Sequence, residues 1–116
     1  MPTIKQHKTQ SAHNEAFFND VGDSYQDWAL TGLFYSALHL VDAFLCSKNI
    51  SVENHLTRAD YMNRIKELKS LYQDYRILYD YSVNARYKMH TFSTENINDT
   101  YKNIFQPFKK AISKYL

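Results

Sequence analysis

Residues 24–48, SYQDWALTGLFYSALHLVDAFLCSK, would place apolar side chains around nearly the whole circumference of a helix. Trp28, Leu33, Phe34, Leu38, Val41, Phe44 and Leu45 recur at spacings of three and four, and Leu30, Ala37 and Leu40 fill the adjoining stripe. A helix that is apolar on two faces must be enclosed by others, so the spacing predicts a central helix on which the remaining segments pack. Tyr35, His39 and Asp42 interrupt the pattern at intervals of four and then three, which puts all three on one face. The stretch is long enough to cross a hydrocarbon layer of about 30 Å. A carboxylate such as Asp42 near the centre of that layer costs about 2.5–3.5 kcal/mol, however, and the flanks lack the Lys/Arg and aromatic asymmetry of a span. The expectation is a core helix and no membrane.

Two glycines and two prolines in 116 residues are too few for the turns of an all-β chain, and alternating apolar/polar runs are absent. The prediction is an all-α, up-and-down bundle of four to five helices in a single domain over residues 1–116. A net charge of +2 shows no strong commitment to nucleic acid or an anionic surface. Cys46 is the one cysteine and cannot form an internal disulfide. The start, MPTIKQHKTQ, has no apolar run to serve as a signal peptide, and a cytoplasmic location is the default expectation.

A first helix is expected over residues 5–20, with Ala12, Ala16, Phe17, Phe18 and Val21 inward and Gly22 as its stop. Ser24 with Asp27 then caps the central helix, and the short join makes the two helices antiparallel neighbours. After a polar loop, Thr57 with Asp60 starts a third helix carrying Tyr61, Ile65 and Leu68 inward. A break is expected near residues 69–71, where Ser70 and Gln73 suggest a second capping box, and the helical pattern then continues to Arg86. Thr94 caps a last helix over residues 95–115, kinked at Pro107. Its lysines, Lys102, Lys109, Lys110 and Lys114, make a small basic surface that reads as a solvated helix face or, as the alternative, a nucleic-acid contact.

No paired cysteines and no His-x-x-x-His or His-Glu-x-x-His spacing is present, the five histidines are scattered, and no metal or cofactor is expected. Cys46 has no local partner to activate it, and isolated glycines cannot build a phosphate loop. Chemistry is left to His, Arg, Tyr and carboxylate. Two helical segments hold these residues: Tyr35, His39 and Asp42 on the central helix, and Tyr79, Ser82 and Arg86, with His90 just beyond, on the fourth. The expectation is that Asp42 or His39 meets Arg86 inside the bundle, with His55 and Arg58 closing its end from a loop. Such a set reads either as a buried ion pair that fixes helix register or as a catalytic cluster.

The segments FYSALHLVDAFL at 34–45, His55, and YRILYDYSVNARY at 75–87 resemble the HEPN superfamily of small helical-bundle domains from bacterial toxin, defence and RNA-processing systems. The likeness runs from Asp27 to Tyr87, about half of the chain. It implies a bundle that is commonly a homodimer and, in active members, a metal-independent ribonuclease in which an Arg steadies the phosphate and a His moves a proton. The matching residues here are Arg86 and His90, separated by Tyr87, Lys88 and Met89, fewer residues than in active members. Other members are non-catalytic partners of nucleotidyltransferases or resemble antitoxins. Two readings follow. In one, the chain is a non-catalytic interaction module that binds a nucleotidyltransferase or antitoxin partner. In the other, it is an RNA-cleaving enzyme with Arg86, His90, His39 and Asp42 catalytic, and Tyr35, His55, Arg58, Tyr79 and Ser82 lining the pocket for RNA or a nucleotide.

Overall fold

The structure is a computed structural model and describes residues 2–116. The chain is all-helical among the described residues, and the helices pack as a bundle. Its radius of gyration of 13.6 Å is close to the roughly 13 Å that a compact chain of this length should have.

Helix α1 (Ile4–Val21) begins at Thr3, whose side chain accepts from the Gln6 amide while the Gln6 side chain accepts from the Thr3 amide. It stops at Gly22, whose φ of 49° and ψ of −126° suit a residue without Cβ. Helix α2 (Gln26–Ser47) follows after a turn in which Ser24 N–H donates to the Val21 carbonyl. Ser24 is therefore not the cap: the Tyr25 carbonyl opens the ladder by accepting from Ala29, and Asp27 accepts from the neighbouring Trp28 amide. The two helices run antiparallel, with His7 opposite His39, Ser11 opposite Ser36, and Phe17 against Gly32.

The inward face of α1 is more polar than its composition suggests. Ser11 and Phe18 are buried, whereas Ala12, Ala16 and Phe17, expected inward, are exposed. The reason lies in the close approach to α2, where the Ser11 hydroxyl donates to the Ser36 carbonyl and the Ser36 hydroxyl donates to the Ser11 carbonyl. Small side chains with satisfied hydroxyls let the backbones meet without stranding a polar group.

Helix α2 is the centre of the bundle. Leu33, Phe34, Ala37, Val41 and Leu45 are fully buried, and α1, α5 and α7 all pack on it. It is long and apolar enough to cross a membrane, with a mean hydropathy of 1.5, yet 72% of that window is buried by the rest of the chain. Trp28, expected inward, is 54% exposed in the first turn, beside exposed Tyr25.

Helix α3 (His55–Arg64) is capped by Asn54, which accepts from the Thr57 amide, three residues before the Thr57 expected to cap it. Ile65, extended at φ −85° and ψ 123°, separates it from the single turn α4 (Lys66–Lys69). A second break at Ser70 and Leu71 falls where expected and leads into α5 (Tyr72–Tyr87). Met62 and Leu68 are the fully buried anchors of this crossover. Helix α5 runs antiparallel to α2, with Tyr75 and Tyr79 against Phe34 and Ala85 near the start of α2.

The last segment starts at Ser93, which forms a capping box with Asn96, one residue before the expected Thr94. Helix α6 (Thr94–Thr100) passes through a wide π-helical turn (Tyr101–Phe105) into α7 (Gln106–Ser113). The wide turn accommodates Pro107, which has no N–H and whose ring would otherwise press on the preceding turn. It also shifts the inward phase, so that Phe105 is fully buried alongside Phe108 and Ile112. Glu15 of α1 ties this segment down, accepting from the Tyr101 hydroxyl at 2.6 Å and pairing with Lys109 at 2.6 Å.

Candidate functional site

The polar stripe of α2 meets a different helix at each of its three residues. Asp42 is 9% exposed and pairs with Arg58, which is 4% exposed and sits in the first turn of α3. The pair is two-pronged, with Nε donating to Oδ1 at 2.7 Å and Nη2 to Oδ2 at 3.1 Å. Burial disfavours the guanidinium charge, but the bond to Asp42 and its negative charge outweigh that effect and hold the Arg58 pKa above its usual value. The Tyr75 hydroxyl lies in the same buried surroundings with no hydrogen-bond partner among the described residues, and burial pushes its pKa upward. Asp42 therefore does not meet Arg86, as the sequence suggested. Arg86 faces Tyr35, two turns before Asp42 and about 10 Å away along the helix. Arg58 is helical rather than in a loop because Asn54 caps the chain ahead of it.

Arg86, near the end of α5, is half-buried. Its Nε donates to the Ser82 carbonyl at 3.2 Å, and its guanidinium lies 5.9 Å from the Tyr35 ring and 5.0 Å from the Tyr87 ring. Among the described residues no carboxylate pairs with it. His55 lies on the same side of the bundle, its ring 5.3 Å from Tyr79 and 5.8 Å from Phe34. Burial lowers the His55 pKa, and the charges of Arg58 and Arg86 lower it further against the opposing pull of Asp42. At neutral pH its ring is uncharged and keeps one nitrogen as an acceptor. His55, Tyr72, Tyr75, Arg76 and Tyr79 line a cavity of about 340 Å³. Ser82, expected in this pocket, is fully buried, and its hydroxyl donates to the Tyr79 carbonyl.

No protein family, curated protein or solved structure matches this chain.

His90 does not share a face with Arg86. Helix α5 ends at Tyr87, Met89 takes a left-handed φ of 53°, and the His90 amide turns back to the Asn84 carbonyl. Its exposed side chain borders a hollow with Asp23, Tyr25, Asp27 and Met89 at the start of α2. A continuous helix, which would have aligned the two, is not what the chain forms. The basic and imidazole groups that do share a side are Arg86 and His55.

His39 meets His7 of α1, with their Nδ1 atoms 3.1 Å apart and ring centroids 5.3 Å apart. Burial lowers the His39 pKa, His7 adds to the shift, and Asp42 opposes it. Donor atoms of His7, His39 and Asp42 lie within 4.8 Å of one another. His7 and His39 lie on separate helices, and helical periodicity alone does not bring them together. The signal was nonetheless available: two antiparallel helices joined at Gly22 pair position 7 with a position near 39.

Proposed function

We propose that the chain is a HEPN-like, non-catalytic binding module that holds a phosphate group of RNA or a nucleotide over Arg86 and His55. The observation that carries this reading is Arg86 itself: a half-buried guanidinium, packed on Tyr35 and Tyr87, with no carboxylate paired to it among the described residues. A planar fork in that state suits a phosphate oxygen, and the tyrosines beside it offer rings on which a base can stack. Asp42 and Arg58 act as the internal brace that fixes α3 on α2, because each neutralises the other's buried charge. The non-catalytic assignment rests on His90, which the turn at Met89 carries away from Arg86. In the setting implied by the resemblance, the module works in the cytoplasm as a homodimer beside a nucleotidyltransferase or antitoxin-like partner.

A second reading, metal-independent RNA cleavage, is favoured by one observation. His55 has a lowered pKa on the same side as Arg86, so an uncharged imidazole and a phosphate-binding fork share one face. Both readings are tested with a mixed RNA pool in EDTA, following binding and cleavage for wild type and for Arg86→Ala, His55→Ala and His90→Ala. Binding without cleavage that weakens about 10-fold in Arg86→Ala, equivalent to about 1.4 kcal/mol, supports the module. Cleavage lost in both Arg86→Ala and His55→Ala, but kept in His90→Ala, supports the enzyme. RNA and nucleotide binding that is absent, or indifferent to Arg86→Ala, refutes both.

A further inference from the structure

We propose that His7, His39 and Asp42 form a divalent-cation site of the two-histidine, one-carboxylate kind, which takes Zn²⁺ or a similar cation and clamps α1 onto α2. The two Nδ1 atoms face each other at 3.1 Å. As a hydrogen bond this contact needs a proton on one ring only. It is also the separation of two nitrogens on a shared ion: at metal–nitrogen distances of about 2.0–2.1 Å, it subtends about 95–102°, between octahedral and tetrahedral values.

Asp42 supplies the third donor, one turn beyond His39 on the same face of α2. Its commitment to Arg58 does not use it up, because each carboxylate oxygen has two lone-pair directions and Arg58 takes one from each. Arg58 then plays the part that outer hydrogen-bonding groups play around protein metals, holding the ligand carboxylate in one orientation. Its positive charge also opposes the cation, so the site should bind less tightly than a structural all-cysteine centre. The donors all lie within 4.8 Å of one another, so none must close by more than roughly 1.5 Å to reach tetrahedral spacing, a side-chain adjustment open to the partly exposed His7 and His39.

Access and remaining coordination positions are provided by an adjoining cavity of about 440 Å³, lined by His7, Asp42, Cys46 and Glu53. Water entering there can complete the shell. Two imidazoles with a carboxylate favour zinc and its neighbours over calcium or magnesium. The donors come from two helices and converge only after folding, so a bound ion must stabilise the folded state. This site is independent of the phosphate reading.

The test uses the full-length protein, stripped with EDTA, dialysed, and titrated with Zn²⁺ for calorimetry and melting and with Co²⁺ for absorption. One equivalent should bind, Tm should rise by about 5 °C or more at a hundredfold excess over Kd, and Co²⁺ should show ligand-field bands. His7→Ala, on the flank of α1, should stay folded, bind at least about 10-fold more weakly and lose the Tm gain. His39→Asn is measured in parallel, so that a folding failure in one variant leaves the other to decide. His13→Ala, elsewhere on α1, should bind as wild type does. The proposal is overturned if wild type shows neither Tm gain nor Co²⁺ bands, if both survive in a folded His7→Ala or His39→Asn, or if His13→Ala abolishes them.

Discussion

Replacing Arg58 by alanine leaves the Asp42 carboxylate, 9% exposed, without its two charge-assisted hydrogen bonds. Breaking one side of a buried pair costs about 3–5 kcal/mol, because the remaining charge is neither solvated nor neutralised. A chain of this length holds in all about 6–17 kcal/mol at typical values per residue, so the loss is a large share of its stability. At about 3–5 °C per kcal/mol, Tm should fall by roughly 10–20 °C. Arg86→Ala is the internal comparison. It removes one hydrogen bond to a carbonyl and the contact with two rings, which together are worth about 1.5–3 kcal/mol and leave no buried charge unpaired. Urea unfolding followed by far-UV circular dichroism reads both, with an unchanged m-value confirming that the native state is intact. Apolar replacement of both partners, Asp42→Leu with Arg58→Met, should recover most of what Arg58→Ala loses. Equal losses in Arg58→Ala and Arg86→Ala would refute the assignment of Arg58 as the sole partner of Asp42.

Two further outcomes follow from groups around the same core. His39 and His55 both have folded-state pKa values below the ordinary 6.5, so the unfolded chain binds more protons than the folded one. Stability measured in EDTA should therefore be full above about pH 6.5 and decline as pH falls through that value toward the lower folded pKa values. A flat wild-type profile from about pH 7 to about pH 5, or one as steep in His39→Asn/His55→Asn as in wild type, would contradict this. Tyr75→Phe removes a buried hydroxyl that has no partner among the described residues, and should raise the unfolding free energy by up to about 1 kcal/mol. A loss of more than about 1 kcal/mol in the same denaturation assay would show that the hydroxyl is bonded after all.

The all-helical class, the enclosed central helix and the antiparallel join at Gly22 were legible in the sequence. Each depends on local causes: the 3.6-residue period of apolar side chains, and a glycine able to take the backbone angles of the stop. Helix starts were legible only to within one to three residues, because several residues able to cap lie near each start. Asn54 and Ser93 cap where Thr57 and Thr94 also had the chemistry, and the choice depends on which residue the packed helix leaves at its end. The side-chain partners were decided by tertiary structure. The stripe Tyr35, His39, Asp42 was visible as one polar face, but whether Asp42 met Arg58 or Arg86 depended on where three other helices crossed it. Periodicity assigns a residue to a face and says nothing of its height along a neighbour. That height places His7 at His39, Arg58 at Asp42 and Arg86 at Tyr35, and it is set by the packing of whole helices around the Phe34 core.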